Sequence, residues 1–234
     1  MPSTPRIHVL TGGPYHPVAE QFGAVQSLLG DRATIAMREG TSAFDDLGHC
    51  DLLVAGGLHW TGMDVPGHIY PEGVAPSTYR RPDEAQQQAF VDYVASGRPV
   101  LAWHGGTGSF DDWPEFGRLL GFCWVWGTTL HSDFGNWQVE IEPTGHPVVA
   151  GVDPYDIDDE LYYDVAVAPD LDVAVHAAAP YEGRELPMVM TAEGGRVTGA
   201  GRTAFLANGH DMRALESAQF CKVVVNTIDW LLAG

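Results

Sequence analysis

The sequence predicts an α/β domain, with an open, mostly parallel sheet flanked by helices and antiparallel β elaborations in its second half. Two observations lead there. In the first half, short apolar runs end in glycine-rich turns and alternate with helical stretches. Near-continuous apolar strands of this kind are those buried on both faces of a parallel sheet. Beyond residue 104 the pattern changes to short or alternating apolar segments separated by turn residues, which suits antiparallel pairing. The 234 residues fit one domain spanning 1–234.

Taken in order, Ile7–Thr11 is an apolar strand ending in Gly12-Gly13-Pro14. Val18–Leu29 follows as a helix with Phe22, Val25, Leu28 and Leu29 on its apolar face and Gly30 as its stop. Thr34–Met37 is a second strand, and Asp51–Ala55 a third that ends in Gly56-Gly57. The Gly/Pro-rich stretch from His59 to Tyr79 is too long for a simple connector; it reads as a lid, a binding loop or a surface excursion. Pro82, Asp83 and Glu84 suit the first turn of a helix that buries Ala89, Phe90, Tyr93 and Val94 and ends at Gly97. Pro99–Trp103 is a fourth strand and Asp111–Leu120 a short helix. Short strands are expected at Trp137–Glu142, Leu161–Val167, Asp172–Ala177, Met188–Thr191 and Thr203–Ala207. Phe220, Val223, Val224, Ile228 and Leu231 keep helical spacing in a closing helix.

Composition excludes several function classes. The formal net charge is −19, the cations are scattered, and Lys222 is the only lysine. A basic stripe, the footprint of phosphate recognition, is missing, so no nucleic-acid or membrane partner is expected. The longest apolar runs are strand-sized, and the N-terminal residues lead into the first strand without an apolar signal region, which makes the cytoplasm the expected compartment. Cys50, Cys123 and Cys221 lack any C-x-x-C pairing, so they are expected to be reduced and mostly buried, with neither a disulfide framework nor a thiolate zinc site. The pairs Gly12-Gly13, Gly56-Gly57 and Gly105-Gly106 fit neither nucleotide-binding glycine pattern, so no nucleotide is expected.

In an open α/β sheet the ligand crevice lies outside the carboxyl ends of the parallel strands. Three strand ends here carry histidine beside glycine: Tyr15-His16, Leu58-His59-Trp60 and His104-Gly105-Gly106. A lone histidine after a strand is usually structural, and it is the convergence of three that points to a site. Aromatic residues cluster near the same loops, and of these Trp60 and Tyr162 are expected to face a pocket while Trp113 and Trp230 pack. The acidic run Asp156–Glu160 suits a solvated turn, from which Glu160 leads into a strand at Leu161–Val165 and points inward.

Several segments together then form a recognisable series. They are Trp103-His104-Gly105-Gly106-Thr107, Trp113-Pro114-Glu115-Phe116, Leu119-Leu120-Gly121, His131, His146-Pro147-Val148, Asp159-Glu160-Leu161-Tyr162 and Asn208-Gly209-His210-Asp211, ahead of a helix ending Asp229-Trp230-Leu231. From His8 to the C-terminus the chain resembles the ThuA-like (trehalose utilisation) family. The resemblance implies a flavodoxin-like, class I glutamine amidotransferase-like fold with a sharp strand-to-helix turn after the fourth strand. Amidotransferases place a nucleophilic cysteine in that turn, and this chain has His104 there. Cys123 falls after the following helix in an apolar setting that leaves it inert, so glutaminase activity is not expected.

The resemblance implies instead a sugar-related pocket lined by His16, His104, His131, Glu160, Tyr162, His210 and Asp211. His104 and Glu160 are the acid/base candidates, and His16, His59, Trp60, Tyr162 and Asp211 the substrate-binding ones. His131, Glu160 and His210 would make a sensible ligand set for a divalent metal such as zinc, with one position open. Asp211 has two readings, orienting an imidazole or capping the helix that follows. The expected partner is a small-molecule sugar, acted on as a disaccharide or keto-sugar by acid/base or metal-assisted chemistry. The alternative is a non-catalytic sugar-binding or accessory protein. The aromatic-rich loop 59–79 offers either a lid or a contact in a homo-oligomer.

Overall fold

A computed structural model describes residues 4–65, 70, 74 and 77–234. The chain runs β1 (Arg6–Thr11), α1 (Val18–Leu29), β2 (Thr34–Glu39), β3 (Leu52–Ala55), α2 (Glu84–Ala95), β4 (Val100–Trp103), α3 (Pro114–Leu120) and β5 (Phe122–Cys123). It continues with β6 (Leu130–His131), β7 (Gly135–Ile141), β8 (Tyr155–Asp159), β9 (Tyr162–Tyr163), β10 (Ala166–Val167), β11 (Ala174–Tyr181), β12 (Arg184–Glu193), β13 (Arg202–Leu206) and α4 (Ala218–Leu232). The large sheet has the order β2-β1-β3-β4-β13-β12-β11-β7-β8. Its first five strands are parallel, and β12, β11, β7 and β8 extend it with antiparallel pairing.

The period of two along the apolar strands explains the layers. Ile7 and Val9 of β1 and Leu52 and Val54 of β3 pack with Phe22 and Val25 of α1 and Phe220 and Val224 of α4. Leu10, Leu53 and Ala55 turn the other way, onto Phe90 and Val94 of α2 and Phe116 and Leu119 of α3. A strand buried on both faces needs apolar residues at every position, which is what β3 and β4 have. At the start of α2 the side chain of Asp83 accepts from Gln86 N while Gln86 Oε1 accepts from Asp83 N. Asp83 is therefore the cap of this helix and not part of its first turn.

Other expectations change in the second half. Asp156–Asp159 is no solvated turn: β8 alternates buried Tyr155, Ile157 and Asp159 with exposed Asp156 and Asp158. Leu161–Val167 is not one strand, because Asp164 takes φ 58° and divides it. Of the two pieces, β9 pairs with β6 and β10 with β5. Thr203–Ala207 contributes β13, which lies parallel to β4 and so brings its carboxyl end beside the turn that follows β4. Leu28 is exposed at 44%, off the buried face of α1. Among the cysteines, all free, only Cys50 is fully buried, with its thiol pushed up to about 11 by burial, while Cys123 and Cys221 are half-buried. No helix among the described residues is long and apolar enough to cross a membrane.

His176 in β11 illustrates how this interior depends on neutral imidazoles. It is buried, with Nδ1 2.9 Å from Thr144 Oγ1, Nε2 2.7 Å from Thr191 Oγ1, and its ring stacked on His146. Burial, and then His146, lower its pKa to about 4 from 6.5. Between those values the unfolded chain binds a proton that the folded chain refuses, so the stability owed to neutral His176 is complete above pH 6.5 and is lost as the pH falls towards 4. Urea denaturation of wild type and His176→Gln at several pH values across this window checks it: the wild-type advantage should shrink as the pH falls. An advantage that stays constant would refute the assignment.

Candidate active site

The turns after β1, β3 and β4 nest into one another at the carboxyl edge of the sheet. A Cβ on Gly13 would stand 2.0 Å from Leu58 O, and one on Gly106 2.0 Å from Ala55 O. These glycines are therefore required for close backbone approach. The turn after β4 opens on His104, whose φ of 39° is rare for a residue with a Cβ. Two hydrogen bonds hold that conformation: His104 Nδ1–H donates to Ala207 O at 2.6 Å, and Thr107 Oγ1 donates to His104 O at 2.9 Å. With its proton on Nδ1, the neutral ring presents the Nε2 lone pair to the crevice. The ring lies over Tyr162 at 4.2 Å between centroids. Next to it, His16 packs directly on Gly105, where a Cβ would come 2.3 Å from His16 Cε1.

The loop after β13 delivers the facing side. Asp159, fully buried at the end of β8, accepts from Gly209 N at 2.7 Å, His210 N at 3.2 Å and Glu160 N at 2.8 Å. Burial pushes its pKa up to about 7, against the pull of these three backbone donors. Gln21 Nε2 of α1 donates to Gly209 O at 2.8 Å and to Asp211 O at 3.0 Å, and Trp103 Nε1 donates to Gly209 O at 3.3 Å. Both Glu160 and His210 thus hang from one carboxylate.

Glu160 is the hub of the polar floor. Its Oε2 lies 3.3 Å from His210 Nδ1 and 3.8 Å from His104 Nε2, and its Oε1 lies 3.5 Å from His131 Nδ1. Burial, reinforced by the neighbouring imidazoles, lowers the pKa of His16 to about 3 and that of His104 well below 6.5. Burial opposes charge on His210 too, but the Glu160, Asp159 and Asp211 carboxylates outweigh it and raise its pKa. Above this floor opens a pocket of about 640 Å³, within the size range of small-ligand sites. Its walls are aromatic: Trp60 and Trp126 stack at 5.2 Å and 14°, and Trp124 meets Tyr162 edge-on at 4.8 Å.

The profile of the ThuA family, described as trehalose utilisation, matches residues 73–231. The chain belongs to the ThuA family. Among solved structures, a protein described as ThuA-like from Parabacteroides merdae ATCC 43184 superposes with a TM-score of 0.73 at 19% identity, over 99% of this chain and 91% of that one. A second, from Bacteroides uniformis ATCC 8492, gives 0.67 at 17% identity over 99% and 93%. A Thermoplasma acidophilum protein described as a GMP synthase component gives 0.53 at 13% identity over 100% and 96%, in keeping with the amidotransferase-like fold. No curated protein sequence matches the chain.

This ThuA-family chain brings together seven of the residues singled out from its sequence: His16, Trp60, His104, His131, Glu160, Tyr162 and His210 all lie in the pocket wall or its floor. His59 is elsewhere. Its Nε2 lies 2.9 Å from Thr11 O and its ring stacks on Phe110, so it ties the β1 and β3 turns together behind the pocket. Asp211 is not in the wall; its carboxylate accepts from Arg213 N at 2.9 Å and pairs with the Arg213 guanidinium, so the capping reading of this residue is the one the structure supports. The expected metal set also changes. The side chain of His131 is 47% exposed and its Nδ1 lies 2.7 Å from Ser132 O, whereas ligand atoms of His16, His104 and His210 all fall within 4.8 Å of one another. The stretch 59–79 contributes Trp60, Gly62 and Val65 to the pocket; 66–69, 71–73 and 75–76 lie outside the described residues.

Sequence reasoning missed Asp159 as a positioning group and Trp124 as wall, and counted Trp126 among the aromatics near the loops without selecting it as pocket-facing. The alternation Tyr155, Ile157, Asp159 was the available signal for the first, and the Trp124-Val125-Trp126 repeat for the others. Gly105→Ala should fold and yet expel the His16 ring from its seat, because the atoms in the way belong to a side chain that can rotate. A crystal structure of the variant checks this: the imidazole should move by roughly 2 Å or more, about the width of a methyl group that must be cleared. An unmoved ring would contradict the packing argument.

Proposed function

We propose that the pocket binds a disaccharide or a keto-sugar and transfers a proton on it through Glu160. The observation that carries this reading is the position of Glu160, a single carboxylate within 4 Å of three imidazoles at the base of an aromatic-walled pocket. Indole faces supply flat apolar area that suits the C–H faces of a pyranose, and the polar floor suits its hydroxyl or carbonyl oxygens. The family description, trehalose utilisation, names the same substrate class.

The chemistry that fits is proton abstraction beside a carbonyl. Glu160 takes the proton from the carbon, the electron pair of the broken C–H bond moves onto the carbonyl oxygen, and the imidazole cluster at His16, His104 and His210 faces the charge that develops there. Returning the proton to the former carbonyl carbon, while the hydroxyl proton on the first carbon passes to the former carbonyl oxygen, completes an isomerisation. Returning it to a departing glycosidic oxygen completes a cleavage. Tyr162, whose pKa burial and the adjacent carboxylates raise well above 10, stays a neutral hydroxyl against which His104 packs.

The test is to incubate the purified protein with disaccharides and their 3-keto derivatives, follow products by mass spectrometry and measure binding by tryptophan fluorescence. Glu160→Gln should lower turnover by about 10²- to 10⁴-fold while binding stays within a few-fold. Trp126→Ala should weaken binding about tenfold, the equivalent of one aromatic stacking contact. Binding without turnover by wild type would leave a sugar-binding protein, and absence of both would sink the reading altogether.

A further inference from the structure

The three imidazoles of His16, His104 and His210 are arranged in a way that hydrogen bonding does not explain. Their ring centroids are 4.9, 5.0 and 5.5 Å apart, and their planes are close to mutually perpendicular at 80°, 82° and 87°. Rings that associate by apolar contact alone have no reason to turn three nitrogens towards a common point. Here one ligand atom from each comes within 4.8 Å of the others. His16 Nδ1 and His104 Nε2 are buried without a hydrogen bond, and His210 Nδ1 has only the Glu160 carboxylate, at 3.3 Å. A buried nitrogen left without a partner is costly, and two facing each other are exceptional.

We infer that His16, His104 and His210 form a three-histidine site for a divalent first-row transition metal of the zinc type, with a fourth position open to the pocket. His104 carries the assignment furthest. It is wholly buried, and its Nδ1–H is committed to Ala207 O at 2.6 Å, which fixes the tautomer and leaves Nε2 as a lone-pair donor. Anchoring the distal N–H on a backbone carbonyl is how metal-binding histidines are oriented. His210 is held by the Asp159 carboxylate through its backbone N–H, and His16 by the bare surface of Gly105. Tetrahedral zinc with nitrogen ligands at about 2.0–2.1 Å needs them roughly 3.3 Å apart, and small side-chain rotations close the remaining distance.

Imidazole ligands favour zinc, cobalt or nickel over magnesium or calcium. The position beside Glu160 Oε2, which lies 3.3 Å from His210 Nδ1 and 3.8 Å from His104 Nε2, would be held by that carboxylate until a sugar oxygen displaces it, and the metal would then act as the Lewis acid for the carbonyl with Glu160 as the base. The metal's role rests on the proton-transfer reading above; its binding does not.

Elemental mass spectrometry of untagged protein purified without chelator, together with calorimetric titration of stripped protein with Zn²⁺ and the visible spectrum with Co²⁺, tests the site. Wild type should bind one equivalent and give the intense visible bands of tetrahedral Co²⁺. His16→Ala and His210→Ala should each weaken binding by at least about 100-fold, since even partners outside the ligand set cost up to that much. His131→Ala should keep the metal. Thermal denaturation confirms that each variant is folded; should His210→Ala fail to fold, His16→Ala alone decides, because its ring lines the pocket wall. Failure of wild type to bind any of Zn²⁺, Co²⁺ or Ni²⁺ at millimolar concentration, or retention of the metal in His16→Ala, would overturn the site. Sugar turnover by metal-free protein would overturn the metal's role and leave the acid–base reading intact, whereas bound metal without sugar turnover would overturn the acid–base reading and leave the metal site standing.

Discussion

The buried carboxylate of Asp159 is the constraint on which the site depends. It ends β8, the edge strand of the antiparallel extension, four places from β13 in the sheet. In a flat sheet that separation is about 19 Å. Yet Asp159 Oδ2 accepts from Gly209 N, just beyond β13, at 2.7 Å. The extension therefore folds over, and Val139, Tyr155 and Ile157 of β7 and β8 join the same core as Phe220 and Val224 of α4. The sparse pairing of β7 with β11, two residues on each side, is where the sheet yields. An Asp in water has no reason to be buried. Here its desolvation is offset by three backbone N–H groups that would otherwise be hard to satisfy, and the exchange fixes Glu160 and His210 together.

Much of this was legible in the sequence because the parallel block is built from local signals. Apolar runs, glycine turns and helix spacing locate β1, α1, β3, β4 and α4 within a residue or two, since each signal arises from neighbours in the chain. The convergence of His16 and His104 followed from the same logic, as the strands carrying them are neighbours of β3 on either side. The second half resisted because its determinants are not local. Nothing near Thr203 announces that β13 will pair in parallel with β4, about a hundred residues earlier, nor that Asp159 will be buried by a loop 50 residues later. His59 shows the other limit. Its sequence context matches that of His16 and His104, and only the geometry of the nested turns sends its ring towards Thr11 O and Phe110 instead of the pocket.

The elbow after β4 shows how a scaffold can keep its geometry and change its chemistry. A left-handed residue between a strand and the next turn projects its side chain over the carboxyl edge of the sheet, whatever that side chain is. The conformation carries strain of the order of 1–3 kcal/mol, tolerated where surrounding contacts over-determine it. In this chain one of those contacts, from Thr107 Oγ1, reaches the backbone carbonyl and is indifferent to the side chain, while the other is specific to imidazole: only a ring with a second nitrogen can donate to Ala207 O and still present an acceptor to the crevice. A cysteine at the same place would not make the second contact. The elbow presents histidine, and Cys123, half-buried beyond α3 with its thiol pKa raised by burial, is not among the residues that line the pocket.

The division of charge within the pocket then has a physical logic. The chain carries a net charge of −19, yet the polar floor holds one carboxylate, Glu160, among four histidines. Burial keeps His16 and His104 neutral, so they cannot compensate that carboxylate by carrying protons. Positive charge in the floor must therefore come from His131 or His210, from the substrate as it reacts, or from a bound cation. His210 alone can balance Glu160 only by pairing with it, which removes the free base that proton transfer requires. A cation held by the three imidazoles, as inferred above, would resolve the conflict, because it would supply the charge beside the carboxylate. The neutrality of buried His16 and His104 and the placing of Glu160 among the imidazoles are in this sense one feature of the fold, set by the turns that nest at the carboxyl edge of its parallel strands.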